Sequence, residues 1–364
     1  MKVFIAIDSF KGTLTSQELG HIMATSLEKN NIETKTIPIT DGGEGFLDFI
    51  STIIPTKTIH LEVKGPLGAF VDAIYLVDKK THTAYIELAK ACGHHLVSEQ
   101  ERNVMESSTF GLGELILHAS TQQVKHIIIG LGGSATNDGG SGMLEALGCI
   151  FYNKQGQKIN HINARKLGQI AQVDTSALHA LMKKVDFTAV HDVVNPLLGK
   201  FGASRVYGVQ KGATSHNAMA LDNYMASYAS IIDPSQTFIN TPGSGAAGGV
   251  GFACLACLQA KPRLGIDYVL DIVNFDEEIK NYDAIITGEG SFDEQSMYGK
   301  VVGGIVMRAQ NKKVIVVCGV NKMKHPIPEG IHKIAAIVPK IASLEEALLH
   351  PQENFRKLCN SLIV

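Results

Sequence analysis

Residues 3–39, VFIAIDSFKGTLTSQELGHIMATSLEKNNIETKTIPI, contain the pattern on which the fold prediction rests. The apolar run at residues 3–8 predicts a buried strand. Thr15, followed three residues later by Glu18, is a capping box that begins a helix. Two asparagines end that helix, and residues 34–39 resume a strand. A strand, a helix and a second strand form the unit from which parallel sheets are built.

The same succession returns near the carboxyl end of the chain. A strand is predicted at residues 284–287, a helix near 301–309, and a further strand at 314–318. Between the two ends, residues 59–88 alternate apolar and polar side chains and contain Gly/Pro and Lys-Lys turns. That alternation predicts antiparallel strands and hence a different domain.

We therefore predict an α/β protein with two domains. A flavodoxin- or Rossmann-like parallel-sheet domain is expected from residues 1–60 plus 281–364. A mixed α/β domain of residues 61–280 is expected to be inserted into it, with the active site in the cleft between the two. The length of 364 residues agrees with two domains, because single cores seldom grow that large.

The composition narrows the functional class. Hydrophobic residues make up 45% of the chain and charged residues 19%, which excludes a disordered chain. The formal net charge of −2 argues against nucleic acid or a membrane surface as a partner, since both require a basic patch. Six cysteines without secretory context predict a reducing, cytoplasmic location. Cys254 and Cys257 are predicted to be core residues, with no zinc site.

Six segments combine glycine with acidic, amide or lysine side chains, and each is predicted to be a loop. Glycine leaves main-chain N–H groups open to a polyanion, and nearby acids can hold a metal ion. The segments are Asp8-Ser9-Phe10-Lys11-Gly12-Thr13, Thr40-Asp41-Gly42-Gly43-Glu44-Gly45, residues 130–142, residues 191–203 with 210–213, residues 242–251, and residues 287–300.

Two of these segments contain the G-x-G pattern of dinucleotide-binding folds. In residues 130–142 the later glycines oppose the continuous helix that this fold requires, and no convincing strand precedes residues 242–251. No G-x-x-x-x-G-K-[ST] loop occurs, so a nucleotide site here is not of the Walker type.

In their order along the chain, these segments resemble the type-1 glycerate kinase family. The matching motifs, which lie within residues 8 to 300, are DSFKGTLT, DGGEG, GLGGSATNDGG, HDVVNPLLG, QKGA, PGSGAAGG and GEGSFDEQS. The resemblance implies phosphorylation of (R)-glycerate to 2- or 3-phosphoglycerate, with ATP and Mg²⁺ as cofactors. It also implies a flavodoxin-like domain interrupted by a second α/β domain.

Our hypothesis is in-line phosphoryl transfer, in which Lys11 and Mg²⁺ stabilise the charge of the transferring group. Asp192 is the first candidate for the base and Asp293 the second, and either could hold Mg²⁺. Lys211 or Lys300 could bind carboxylate or phosphate. The predicted substrate- and nucleotide-binding residues are Asp8, Ser9, Asp41, Gly42, Gly43, Glu44, Gly132, Gly133, Ser134, Asn137, Asp138, Asn195, Gln210, Lys211, Gly243, Ser244, Gly245, Glu289, Ser291, Gln295 and Lys300.

Two alternatives remain at this point. One is a nicotinamide-dependent oxidoreductase acting on a small hydroxy acid, which rests on the two G-x-G patterns. The other is a protein that binds a nucleotide or sugar acid without catalysis. The several acids in the loops favour catalysis. Turnover of ATP with glycerate, or titration with NADH, would separate the three.

Overall fold

The computed structural model describes residues 1–362. The strands are β1 (Lys2–Ile7), β2 (Glu33–Thr36), β3 (Lys57–Lys64), β4 (Phe70–Asp78), β5 (Thr83–Glu87), β6 (His126–Gly130), β7 (Ile150–Tyr152), β8 (Lys158–Ile159), β9 (Gln172–Asp174), β10 (Asp186–His191), β11 (Lys261–Leu264), β12 (Ala284–Phe292), β13 (Lys313–Asn321) and β14 (Ile331–Val338).

The helices that accompany these strands are α1 (Ser16–Glu28), α2 (Phe46–Ile53), α3 (Ala89–Cys92), α4 (Phe110–Ser120), α5 (Ser141–Ala146), α6 (Ser176–Met182), α7 (Ala203–Tyr207), α8 (Ser215–Ile232), α9 (Ala246–Leu258), α10 (Gly265–Ile272), α11 (Phe275–Glu278), α12 (Val301–Arg308), α13 (Leu344–Leu349) and α14 (Pro351–Asn360). Several short 3₁₀ turns connect them.

Unit 1 consists of Met1–Asp41 together with the chain from Gly265 onward. Its sheet has the strand order β14-β13-β12-β1-β2, and every pair in it is parallel. The expectation that the two ends of the chain build one parallel sheet is confirmed by the pairing of β1 with β12. Thr15 and Glu18 form the predicted capping box. The inner face of α1 consists of buried side chains: Leu19, Ile22, Met23, Ser26 and Leu27.

Unit 2 consists of Gly42–Leu264. Its larger sheet has the order β11-β10-β6-β5-β4-β3. The predicted antiparallel strands are β3, β4 and β5, and the remaining pairs are parallel, so the sheet is mixed. A smaller antiparallel sheet, β8-β7-β9, belongs to the same unit. The predicted fold class, a parallel-sheet region interrupted by a mixed α/β region, is confirmed.

Unit 1 ends at Asp41 and resumes at Gly265, whereas the domain boundaries are predicted near residues 60 and 280. Packing explains the difference. Helix α2 contacts β4 and β5 within unit 2, and α10 contacts α12 within unit 1.

The sixth glycine-rich segment was predicted to be a loop, and its first part is a strand. β12 continues through Thr287 to Phe292, with Glu289 opposite Cys318 and Ser291 opposite Val320 of β13. The prediction was wrong because two glycines and polar side chains are typical of turns, whereas the neighbouring strand supplies a hydrogen-bonding partner along the whole segment.

Candidate active site

Four strands of the larger sheet in unit 2 run parallel, so their carboxyl ends lie at one edge. β5 pairs with β6, β6 with β10, and β10 with β11. The segments at residues 130–142 and 191–203 follow two of these ends. In open sheets with parallel strands, that edge is where ligands commonly bind.

Lys211 is a buried lysine near this edge, with 3% of its surface exposed. Its Nζ donates to Ser134 Oγ and to the main-chain oxygen of Thr136, both at 2.8 Å. Burial lowers the pKa of Lys211 to about 7, while the carboxylates of Asp138 and Asp192 oppose that change. Both hydrogen-bond acceptors of this ammonium group are neutral, and the negative charges that act on it belong to Asp138 and Asp192.

Two buried oxygens in the same loop have no hydrogen-bond partner within residues 1–362: Thr136 Oγ1 and Asn137 Oδ1. The side-chain amide of Asn137 donates to Ser204 Oγ at 2.8 Å, which fixes the orientation of its oxygen. Buried polar atoms are normally paired with protein or water. These two oxygens are therefore suited to contact a ligand or an ordered water molecule.

Asp138 is fully buried, and main-chain groups surround its carboxylate. The N–H groups of Thr109, Gly140 and Gly142 donate to it at 2.8 to 3.1 Å, and so does the hydroxyl of Thr109. Burial raises the pKa of Asp138, and these hydrogen bonds lower it. The carboxylate thus joins the start of α5 to the start of α4, so it fixes the loop whether or not it also contacts a ligand.

The loop after β10 presents Asp192 and Asn195, which are both half-buried. Asp192 lies close enough to Lys211 and Tyr207 to shift the pKa of each upward. Asn195 accepts from the Tyr207 hydroxyl at 2.8 Å and donates to the main-chain oxygen of Phe201 at 2.8 Å. His191 is buried, with Nδ1 2.9 Å from the main-chain oxygen of Val193, as expected for a structural histidine.

Glycines allow the loops of unit 2 to approach one another closely. A methyl group added at Gly132 would lie 2.3 Å from Cα of Gly43, and one added at Gly248 would lie 2.2 Å from the main-chain oxygen of Thr136. Gly248 and its two neighbours have positive φ, which kinks the start of α9. The second, third and fifth segments are therefore brought together by main-chain contact.

Other predicted residues of unit 2 divide into buried and exposed groups. Ser244 is buried, and its hydroxyl donates to the main-chain oxygen of Ile239 at 3.0 Å. The N–H of Gly245 donates to the main-chain oxygen of Asn195 at 3.0 Å, and Gly243 packs against the His191 ring. Gly42, Gly43 and Gly132 are buried, Gly133 is half-buried, and Glu44 and Gln210 are exposed.

In unit 1, Asp8 directly follows the last residue of β1, Ile7, which pairs with Gly288, and Glu289 is the next residue of β12. The Asp8 N–H donates to Gly288 O at 2.9 Å, and Asp8 Oδ1 accepts from the N–H of Ser9 at 2.7 Å. Burial raises the pKa of both carboxyls, and the half-buried Asp41 raises them further. Lys300 Nζ lies 4.0 Å from Glu289 Oε2 and opposes this effect.

Lys11 and Ser9 are exposed. Lys11 lies in a tight turn in which Phe10 bridges to Leu14, just before the cap of α1, as predicted. Phe10 and Leu14 are buried, so the turn is fixed to the core of unit 1 while the lysine points outward.

Asp293 caps a short 3₁₀ turn, Glu294–Met297. Its Oδ1 accepts from the N–H of Gln295 at 2.9 Å, and its own N–H donates to Ser296 Oγ at 2.9 Å. Gln295 is exposed. The carboxylate of Asp293 therefore has a local structural role that was not predicted from the sequence.

Comparison with known proteins identifies the family. The profile of the glycerate kinase family matches residues 3–364. A protein from Bacillus cereus named glycerate kinase is 40% identical over 100% of this chain and 97% of its own length. The chain belongs to the glycerate kinase family. The enzyme is therefore a phosphotransferase that acts on an alcohol group, with ATP as the phosphate donor.

Two further relatives agree with the family assignment. A glycerate 2-kinase from Escherichia coli strain K12 is 36% identical over 97% of this chain and 95% of its own length. A crystal structure from Salmonella typhimurium LT2, described as a glycerate kinase 2, has a TM-score of 0.82 and 36% identity. It covers 99% of this chain and 96% of its own. The family resemblance, kinase activity and glycerate as substrate class predicted from the motifs are confirmed, so neither the oxidoreductase nor the non-catalytic binding protein is retained.

Two features are absent from the part of the chain that the structure describes. No helix among residues 1–362 is long and apolar enough to cross a membrane. In the same residues, no group of three or more His, Cys, Asp or Glu side chains is arranged to hold a metal ion.

Glu87 was not predicted as a site residue, and it ends β5 at the ligand edge of unit 2. Only 1% of its surface is exposed, and its Oε2 accepts from the N–H of Leu47 at 3.0 Å, in the first turn of α2. The carboxylate thus anchors the chain directly after the segment that contains Gly43 and Glu44. The sequence does contain an indication of this role, because Glu87 is an acidic residue near the end of the apolar run at residues 83–88. A charged residue at the end of a predicted strand suggests a position at the ligand-binding edge of the sheet.

Proposed function

We propose that this enzyme transfers the γ-phosphoryl group of ATP to the 2-hydroxyl of (R)-glycerate, and that the buried Lys211 supplies the positive charge that stabilises the transfer. The name of the Escherichia coli relative, glycerate 2-kinase, supports the choice of hydroxyl. The burial of Lys211 between two neutral acceptors is the observation on which its role rests.

Phosphoryl transfer needs positioned positive charge more than covalent chemistry. A donor that is already oriented in a water-poor site stabilises developing charge more strongly than one in solvent. Ser134 and Thr136 orient the Lys211 ammonium group in this way. Because an opposite charge favours the ionised form, a phosphate bound beside Lys211 would raise its pKa from about 7 and keep it protonated.

Asp192 is our candidate for the base. Its carboxylate is half-buried and acts electrostatically on Lys211. The glycerate 2-hydroxyl oxygen would attack the γ-phosphorus while the bond from that phosphorus to the β–γ bridging oxygen breaks. The hydroxyl proton would pass to Asp192, and ADP would leave with the bridging oxygen.

The remaining predicted residues keep proposed roles in ligand binding. We assign phosphate contacts to the main-chain N–H groups of the glycine segments in unit 2, and hydroxyl or phosphate contacts to Asn137, whose oxygen has no partner among the described residues. Lys11 is proposed to stabilise the transferring group and Lys300 to bind an anionic group. Asp138 is proposed chiefly to position its loop, because its carboxylate already accepts four hydrogen bonds.

Mg²⁺, when bound, neutralises charge on the polyphosphate. The capping role of Asp293 makes it a poor ligand. The oxygens of Glu289 and Ser291 that lack a partner among the described residues of unit 1 fit a hard cation better. A cytoplasmic location also stays a proposal, and it is supported by six cysteines that are all buried and free.

Replacement of Lys211 by methionine tests the central claim. We expect kcat for ATP and glycerate to fall by about 10²–10³, the usual effect of removing one preorganised donor. Lys154 lies in an exposed turn of the small sheet, so Lys154→Met is the matched control and should stay within about twofold of the wild type. Equal turnover in both variants would overturn the role of Lys211.

Proton-coupled ³¹P NMR of the product tests the position of phosphorylation. A phosphate on the 2-oxygen couples to one carbon-bound proton and gives a doublet. A phosphate on the 3-oxygen couples to two and gives a triplet. A triplet would reject the 2-hydroxyl while leaving the kinase assignment intact.

A further inference from the structure

Two arginines of the described chain are half-buried, Arg102 in unit 2 and Arg308 in unit 1. The Arg308 guanidinium donates from Nε and Nη2 to Asp276 at 2.9 and 2.7 Å, and from Nη1 to Asp271 at 2.8 Å. The Arg102 side chain has no hydrogen bond or ion pair within residues 1–362, and its Nε is buried without a partner. Because buried donors are normally paired, the Arg102 guanidinium is suited to bind a ligand.

Arg102 lies in the connection from β5 to α4, residues 88–109, which begins at the ligand edge of unit 2. This connection runs beside the segment that follows β6, since the N–H of His94 donates to the main-chain oxygen of Gly133 at 3.0 Å. The arginine is therefore part of the same edge as the glycine-rich segments of unit 2.

Main-chain packing holds Arg102 next to the segment that contains Lys211. Gly212 has a φ of 93°, and a methyl group added there would lie 2.5 Å from the main-chain oxygen of Arg102 and 3.0 Å from its Cβ. Glycine permits both this conformation and this close approach. Val104 and Ala213 then pack in one buried cluster. The base of the Arg102 side chain is thus fixed beside the residue that follows Lys211.

The chemistry of this group favours a planar anion. A guanidinium presents its donors as a rigid fork and forms two parallel hydrogen bonds to a carboxylate or a phosphate. Main-chain N–H groups of glycine-rich segments already suit phosphate, and the second, third and fifth segments supply them in unit 2. The connection at residues 88–109 has one glycine, Gly93, and contributes a guanidinium instead. This difference favours a carboxylate as the ligand of Arg102.

We propose that Arg102 binds the carboxylate of glycerate, so that the enzyme selects a hydroxy acid over an uncharged polyol. The identity of the ligand rests on the proposed function, whereas the anion-binding role rests on the unpartnered Nε and on the position beside Lys211. The bound carboxylate orients the hydroxyl groups of glycerate, and Lys211 serves the phosphoryl group. Each of the two cations therefore has its own anion.

Steady-state kinetics of Arg102→Gln, with each substrate varied in turn, tests this contact. Glutamine removes both the charge and the fork. We expect the KM for glycerate to rise by about 10–100-fold, as for the loss of a charge-assisted hydrogen-bonded pair. The contact is equally strong in the ground state and the transition state, so kcat and the KM for ATP should stay within about twofold.

Arg165→Gln is the matched control. Arg165 is an exposed arginine of the same unit, and its Nε donates to Glu106 Oε1 at 2.6 Å in a surface ion pair. Such pairs contribute little to stability, so kcat and both KM values should stay within about twofold of the wild type.

Arg102→Lys is a second variant, and it keeps a positive charge at this position. An ammonium group cannot form the two parallel hydrogen bonds of the fork, so the KM for glycerate should still rise several-fold. An arginine with a purely structural role would lower the melting temperature on substitution and leave the KM for glycerate as in the wild type.

Glyceramide, the uncharged amide of glycerate, shows whether the affected contact is to the carboxylate. As a competitive inhibitor against glycerate, it should bind the wild type at least about tenfold more weakly than glycerate does. Arg102→Gln should weaken glycerate and leave the inhibition constant of glyceramide within about threefold, because the amide has no charge to lose a partner.

The outcomes separate this inference from the proposed function. An unchanged KM for glycerate, a rise confined to ATP, or an equal loss for glycerate and glyceramide would overturn the carboxylate contact even in an active glycerate kinase. Conversely, a product phosphorylated on the 3-hydroxyl, or wild-type turnover in Lys211→Met, would reject the proposed function. A KM for glycerate that depends on Arg102 in that same enzyme would retain the contact.

Discussion

Asp138 in unit 2 and Glu289 in unit 1 are both buried acids, and their surroundings differ. The Asp138 carboxylate accepts from three main-chain N–H groups and one hydroxyl, whereas Glu289 Oε1 has no partner within the described residues. In unit 2 the buried ammonium group of Lys211 donates to neutral acceptors, and the carboxylates of Asp138 and Asp192 act on it electrostatically. In unit 1 burial raises the pKa of the Asp8 and Glu289 carboxyls, and Lys300 opposes that change.

The difference indicates which ligand chemistry each unit favours. A buried ammonium group among glycine loops attracts an anion, as phosphate recognition requires. A face of buried carboxylates attracts a cation or hydroxyl groups. The acidic residues of the glycine-rich segments are therefore not equivalent. Asp138 is fully hydrogen-bonded and fixes the shape of its loop, whereas acids with fewer hydrogen bonds can bind a ligand or accept a proton.

The largest expected effect concerns Asp192 in unit 2. If Asp192 is the base, Asp192→Asn should lower kcat by roughly 10²–10⁴ and change the glycerate KM much less. Steady-state kinetics with both substrates measures this split. A loss confined to the melting temperature would assign Asp192 a structural role and remove the base from unit 2.

Substitution of Lys11 tests the contrast between the two units from the side of unit 1. Lys11 is an exposed cation, whereas the buried charged groups of unit 1 are acidic. A solvated lysine just before a helix is mildly disfavoured by the helix dipole. If Lys11 is catalytic, its replacement by alanine should lower turnover by about 10²–10³, with stability within about 0.5 kcal/mol. Lys11→Arg should rescue activity only in part, because a planar guanidinium does not reproduce a compact charge.

Kinetics of Lys11→Ala, combined with its thermal melting, separates the two roles. Wild-type turnover in this variant would remove Lys11 from the site and leave phosphate chemistry to unit 2. A large loss of turnover would show that unit 1 also stabilises the transferring group.

Much of the fold followed from the sequence because local patterns and tertiary contacts agree there. Residues 3–8 and the cap at Thr15 specify a strand and a helix by apolar runs and hydrogen-bonding side chains, and the structure places both as predicted. The strand at Thr287–Phe292 did not follow, because its composition is typical of a turn and only pairing with β13 makes it a strand.

The sequence predicted which segments contribute to the site, but it predicted the roles of individual residues much less well. The motifs made both Lys211 and Asp293 candidates for the site. In the structure, Lys211 is buried and donates to residues more than seventy positions away, whereas Asp293 caps the turn that follows it. Burial and distant partners are tertiary properties that a single sequence does not contain. Glu87 was missed for the same reason, since its partner Leu47 lies forty positions earlier.

Lys211 also gives unit 2 a distinctive pH dependence. Its pKa is about 7 in the folded protein and about 10.5 when unfolded, so between these values the unfolded chain binds more protons and stability rises with pH. The slope from this group is at most about 1.4 kcal/mol per pH unit. Chemical denaturation from about pH 7 to 8.5 should show this increase in the wild type, and the difference between the wild type and Lys211→Met should isolate it. Parallel curves would mean that Lys211 is not buried as a charge-sensitive group.

The smallest expected effect concerns Asp293, the acid that competes with Asp192 for the role of base. Its carboxylate accepts from the N–H of Gln295, as an N-cap does. Asparagine is as good an N-cap as aspartate, whereas alanine lacks the acceptor and typically costs about 0.5–2 kcal/mol. Asp293→Asn should therefore keep both stability and turnover, and Asp293→Ala should lower the melting temperature with little change in turnover. Because asparagine preserves the cap and removes the proton acceptor, kinetics of Asp293→Asn distinguishes the two roles directly. If Asp293→Asn instead slowed turnover by about a hundredfold or more, with unchanged melting, the base would move from unit 2 to unit 1 and the division between the two acids would be reversed.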